Sequence, residues 1–197
     1  LSYLITNTTM NMDRLVIKQI LGNEQVTQYY VVSLIGKTLV LLIAPINTIV
    51  ISYLTKRKER LTRSQFGKAV LAGGGVSLAF FVACQIGTPL FVWLFYRNLY
   101  ESVKGIVTVV NLAQILGLFS AFLFILVLTF TDERWQLWIQ LAHFCILLVS
   151  SVLAARTYGM MGFAVASLGA NSLRVAAVVI LGIVKAGKDK GDRNADR

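Results

Sequence analysis

The feature that most constrains this chain is a series of apolar runs of about twenty residues, separated by short clusters that hold most of the charge. Wound as an α-helix at about 1.5 Å per residue, such a run matches the roughly 30 Å hydrocarbon core of a bilayer. Six runs are readable: one ending near Leu21, then about Tyr29–Tyr53, Phe66–Phe95, Gly105–Phe130, Trp135–Ala155 and Gly162–Val184. They leave almost nothing for a soluble domain. Of the 197 residues only 14% are charged, against roughly a quarter in an ordinary soluble domain. The runs are too long, and alternate too little, for the strands of a membrane barrel. The expected fold is therefore all-α: a polytopic bundle of six transmembrane helices over residues 1–184, then a polar tail at 185–197. A first run that is membrane-like from Leu1, with no basic leader before it, reads as the continuation of a longer chain.

Charge placement orients the bundle. Lys56, Arg57, Lys58, Arg60 and Arg63 crowd the connection between the second and third runs, and the tail is basic too. The opposite side carries only Arg97, Lys104 and Arg156. Positive charge marks the cytoplasmic side, so the second loop, the fourth loop with Arg134 and the C-terminal tail are expected there. The net charge of +10 is explained by this distribution, and no nucleic-acid motif accompanies it. Cys84 and Cys145 lie inside apolar runs and read as small core residues rather than as a disulfide or metal framework.

Charges at bilayer depth cost a few kcal/mol, so they face a bundle interior or a wet cavity. Asn7, Asn11, Arg14 and Lys18 are spaced four, three and four apart, which places them on one stripe of the first helix, with Asp13 beside it. Lys37 lies in the second run, and Arg174 lies halfway along the sixth with Asn171 one turn before it. Asn47, Asn111 and Gln114 add polar surface. Arg14, Lys18, Lys37 and Arg174 are all cationic, and Asp13 is the one acid inside a run. A cavity lined in this way attracts anions, and arginine in particular suits phosphate. Lys18 and, less readily, Arg14 have the alternative of snorkelling to the headgroups, being near the end of the run. His143 is the single histidine and reads as a buried neutral side chain in an apolar stretch. There is no phosphate-binding glycine loop, paired-carboxylate site, nucleophile with its base, or metal-ligand spacing, so neither an enzyme nor a cofactor is expected.

Several short motifs occur in a fixed order: Met12-Asp13-Arg14-Leu15-Val16-Ile17, then Ile20-Leu21-Gly22-Asn23-Glu24-Gln25-Val26 and Tyr29-Tyr30. Ala44-Pro45-Ile46-Asn47-Thr48 and Ser52-Tyr53-Leu54 precede the basic loop, Pro89-Leu90 runs on to Leu94-Phe95-Tyr96 and Leu99-Tyr100, and Tyr158-Gly159-Met160-Met161-Gly162-Phe163-Ala164 comes last. The series resembles the second half of polysaccharide flippases of the multidrug/oligosaccharidyl-lipid/polysaccharide exporter superfamily. The resemblance implies a V-shaped transporter of twelve or fourteen helices, made of two bundles that alternate access to a central cavity. This chain would be its C-terminal bundle, partnered by an N-terminal half of the same protein. The implied cargo is an oligosaccharide on undecaprenyl pyrophosphate, moved across the bacterial inner membrane for surface polysaccharide assembly (O-antigen or exopolysaccharide) beside a polymerase and glycosyltransferases. The family's cationic cavity carries over most directly to Arg14. Two alternatives stand beside this expectation: a multidrug or toxin cation antiporter of the same superfamily, and a membrane assembly subunit that transports nothing.

Overall fold

The structure is a computed structural model that describes residues 2–56 and 62–186, with side chains from Thr8 onward except at 10, 40–47, 49–51, 53–56, 133 and 136. Within these residues the fold is all-helical: α1 (Ser2–Ile20), α2 (Asn23–Lys56), α3 (Arg63–Phe95), α4 (Arg97–Val103), α5 (Val107–Leu128) and α6 (Glu133–Lys185). Gly22, with φ +96°, turns the chain between α1 and α2. Thr62 starts α3 with a capping box: its hydroxyl accepts from Gln65 N at 3.3 Å while the Gln65 side chain accepts from Thr62 N at 3.2 Å. The tail from 187 onward and most of the basic loop at 57–61 lie outside the described residues.

Among the described residues three helices are long and apolar enough to cross a membrane: α3, α5 and the Leu137–Lys185 part of α6. The coarse expectation of an all-helical membrane chain agrees with this. The reason α1 does not join them is its load of Asp13, Arg14 and Lys18 in one short helix. Burial separates the other helices. α5 is apolar all round and sits at the centre, packed on α2, α3 and α6. α3 is somewhat less apolar and exposes Leu71, Leu78, Ile86, Leu90 and Leu94 along its length. An unbroken apolar face of this extent is costly in water and matches lipid. At one end of α3 the Arg97 guanidinium lies 5.7 Å from the Trp93 ring, and at the far end of the bundle Lys185 lies 5.7 Å from Trp135. Such aromatic-basic pairs suit membrane–water interfaces.

The 53-residue α6 departs most from the single runs read in the sequence. Gly159 (φ 60°, ψ −143°) breaks it, and the two arms fold back on each other. His143 of the first arm meets Asn171 of the second at 3.1 Å, and the Trp135–Lys185 contact closes the open end. The expected loop between the fifth and sixth runs therefore shrinks to one left-handed residue, a conformation that favours glycine. Gly162 is constrained by space instead: a Cβ there would lie 2.1 Å from the Ala154 carbonyl oxygen. These two glycines give the Tyr158–Ala164 motif a mechanical meaning, a reversal tight enough to press the two arms together.

Between helices in lipid there is no hydrophobic drive, so close packing and hydrogen bonds hold them. Phe66 is completely buried against Gly182, where a Cβ would come within 2.2 Å of its ring, and it meets Phe130 edge-on at 5.9 Å. Tyr29 of α2 meets Phe163 of α6 edge-on at 5.1 Å, a geometry worth roughly 0.5–1.5 kcal/mol beyond the area it covers. This second contact sits at the edge of the cavity described next.

A cationic cavity between four helices

A cavity of about 400 Å³ lies between α1, α2, α5 and both arms of α6. Each helix supplies polar groups from one face, at intervals of three or four residues along both arms of α6. α1 contributes Asn11, Asp13 and Arg14, and α2 contributes Tyr29 and Lys37. α5 contributes Gln114 beside the bare backbone of Gly117, and α6 contributes Gln140 and His143 on one arm, Ser167, Asn171 and Arg174 on the other. Three cations thus share the lining with one carboxylate.

The charges are not equivalent. Asp13 and Lys37 form an ion pair across α1 and α2, with side chains only 11% and 26% exposed. The Asp13 carboxylate also accepts from the Arg14 backbone N–H at 2.9 Å. Two charges so paired cancel most of each other's field. Arg14 instead lays its guanidinium over the Tyr30 ring, 4.8 Å from the centroid. Arg174 lies over Phe124 at 5.5 Å, and its buried Nε has no hydrogen-bond partner among the described residues. A buried donor left unmade costs about 1–3 kcal/mol, so a group of this kind calls for a partner, whether a water, an ion or a ligand. Arg14 and Arg174 therefore supply the cavity's unpaired positive charge, Arg14 from an exposed position on α1 and Arg174 from a more buried one on α6.

The neutral groups are more firmly held. Asn171 donates from Nδ2 to the Ala113 carbonyl at 2.9 Å, and its Oδ1 faces His143 Nε2 at 3.1 Å. A Cβ on Gly117 would fall 3.4 Å from Asn171 Nδ2, so this small residue is what lets the amide approach α5.

Of the residues singled out in the sequence, Asn11, Asp13, Arg14, Lys37, Gln114, Asn171 and Arg174 line this one cavity. Two do not. Lys18 is exposed in the last turn of α1, beyond the cavity, where a cation complements the negative end of the helix dipole. Asn111 is wholly buried in another place, between α3 and α5, donating to the Cys84 carbonyl at 3.1 Å and to Gln85 Oε1 at 2.9 Å. Lys37 also changes role, because its charge is spent on Asp13 rather than left for a ligand. The side chains of Asn7 and Asn47 lie outside those described. His143, Tyr29, Gln140 and Ser167 line the cavity without having been singled out for it. Their signal in the sequence was slight: a lone histidine with Gln140 one turn before it, and a serine one turn before Asn171.

Among the described residues no group of three or more His, Cys, Asp or Glu side chains is arranged to hold a metal ion. No family model, curated protein or solved structure matches the chain.

Proposed function

We propose that this chain is the C-terminal, six-span half of a membrane transporter that carries an anionic, lipid-linked oligosaccharide through its cationic cavity. The observation that carries the reading is Arg174: a guanidinium sunk in the bundle, its buried Nε without a partner among the described residues, on a cavity shared with Arg14. A pyrophosphate offers several strong acceptors to such groups and suits the planar donor fork of arginine. Amides and hydroxyls from Asn11, Gln114, Gln140 and Ser167 surround the charge, a chemistry that suits sugar hydroxyls. The six spans are α1, α2, α3, α5 and the two arms of α6, with α4 as a short surface helix between the third and fourth. The side with the basic loop and the tail faces the cytoplasm of a bacterial inner membrane.

In this reading a second bundle of the same protein closes the other wall of the cavity, and the two halves rock about the bound headgroup to move cargo from the inner to the outer leaflet. No bond is made or broken, so the chain is a carrier rather than an enzyme. The cation antiporter is the weaker reading, because the carboxylate that would hold a cation is already paired with Lys37.

The test is export by the full-length protein in cells lacking the chromosomal copy. Arg14→Ala and Arg174→Met are each expected to cut surface polysaccharide at undiminished protein level. Wild-type export by both variants would overturn the proposal. Export that survives neutralising every cavity cation but fails on mutating helix surfaces would point to an assembly subunit.

A further inference from the structure

Asn171 fixes which ring nitrogen of His143 carries hydrogen. Its Nδ2 donates at 2.9 Å to the Ala113 carbonyl, a group that only accepts. Its Oδ1 is then the atom 3.1 Å from His143 Nε2, and that nitrogen must be the donor. Neutral His143 is therefore the Nε2–H tautomer, and Nδ1 is its one remaining basic position. Arg174 stands one turn beyond Asn171 on the same helix face and lines the same cavity as His143.

The groups around the imidazole come from every element packed there. The second arm of α6 brings Arg174, α1 brings Asp13 and Arg14, and α2 brings Lys37 and Tyr29. α5 brings only the neutral Gln114, and the first arm only Gln140. With Asp13 committed to Lys37, the unpaired cation that His143 meets is Arg174, one turn beyond its partner Asn171. A second cation beside it is opposed, and a bound dianion removes that opposition.

We infer that His143 is a proton-binding site linked to the anion site: an anion seated at Arg14 and Arg174 draws a proton from water onto His143 Nδ1, so the two are taken up together. The new Nδ1–H bond forms while Nε2–H keeps its hold on Asn171. By reciprocity a more acid medium tightens anion binding by the same factor. The inference rests on the anion reading of the cavity and adds the co-ligand that would couple transport to a proton gradient.

His143 is the only histidine of these 197 residues, and in the full-length protein its imidazole ¹⁵N signals are identified as those lost in His143→Gln. The experiment places the full-length protein in phosphatidylcholine nanodiscs and follows the His143 titration with and without inorganic pyrophosphate. Binding itself is read by calorimetry. Binding with an upward shift of the midpoint by about one pH unit, tenfold in proton affinity, is the expected result. The unliganded protein should show the Nε2–H tautomer. Binding with an unmoved midpoint, or an Nδ1–H tautomer, overturns the inference and leaves the anion reading standing. No binding overturns both. A parallel set of discs containing phosphatidylglycerol and no pyrophosphate separates a lipid headgroup from a free phosphate as the anion. His143→Gln keeps a donor for Asn171 and should remove the extra proton uptake on binding, with pyrophosphate's own protonation cancelled in the difference from wild type.

Discussion

Two places in this bundle put polar side chains where water is scarce, and they solve the problem in opposite ways. At the α3–α5 seam Thr88 and Asn111, both fully buried, bond to each other at 3.2 Å. Asn111 goes on to Cys84 O and Gln85, and Gln85 reaches Thr108 at 2.9 Å. Every member is neutral, and the chain of donors and acceptors closes on itself beside Pro89, where α3 lacks a backbone N–H. In the cavity, by contrast, an ion pair and an amide–imidazole link are completed, while Arg174 keeps a buried donor without a partner among the described residues. The seam spends its polarity on holding helices together, as interhelical amides do in membranes. The cavity holds polarity in reserve, and that reserve is what a ligand would meet.

The comparison breaks first at Arg174. Replacing it with methionine removes the unmatched charge while keeping much of the volume. Pyrophosphate affinity should fall about 100-fold, within the 2–5 kcal/mol range for a truncated charge contact, while thermal stability holds or rises because a buried charge is gone. Calorimetry and a melting curve on one preparation read both. A variant that unfolds would make Arg174 part of the scaffold and erase the distinction.

The Asp13–Lys37 pair is a charged, scaffold-like element of the cavity, and it sharpens the contrast. Lys37→Met strands a carboxylate and should cost about 2 kcal/mol, less than a fully buried pair because both side chains are partly exposed. Adding Asp13→Asn should recover most of that loss in reversible detergent unfolding. Equal stability of the single and double variants would mean that the pair carries no coupling. At the seam, Asn111→Leu should cost about 1 kcal/mol, the scale of interhelical hydrogen bonds in membranes, and leave pyrophosphate affinity unchanged. A large affinity loss there would show that the two regions are one network.

The sequence alone revealed the apolar runs, because bilayer thickness dictates their length, and the α1 stripe, because helical spacing alone groups Asn11 with Arg14. Arg174 and Asn171 were legible from depth and a one-turn separation. Partner choice was not. Asn111 and Gln114 are one turn apart on α5 and look alike as sequence, yet Asn111 turns into the α3 seam and Gln114 into the cavity. Which cation Asp13 would take depended on how α2 packs, and Lys37 lies 24 residues away. The hairpin in α6 was hidden for a related reason: a loop and a one-residue reversal have the same polar punctuation, and only the contact of Gly162 with Ala154 tells them apart. The short helix α4 passed for a loop because seven residues are too few to display a period.

Lys18 supplies the finest test, because it shares a stripe and a charge with Arg14 and differs in position alone. It is exposed in the last turn of α1, outside the cavity. A cation there interacts with the helix dipole for roughly 0.3–1 kcal/mol and is screened by salt. Lys18→Gln should therefore change pyrophosphate affinity by less than about twofold, and that small effect should fade as ionic strength rises and the Debye length shrinks to a few ångströms. Arg14→Gln, four residues earlier, should retain more of its larger loss in the same salt series, because Arg14 lines the cavity and acts at short range on an anion seated there. If the two variants respond alike, net positive charge near α1 would be enough to explain anion binding, and the particular geometry of Arg14 over Tyr30 would have no part in it.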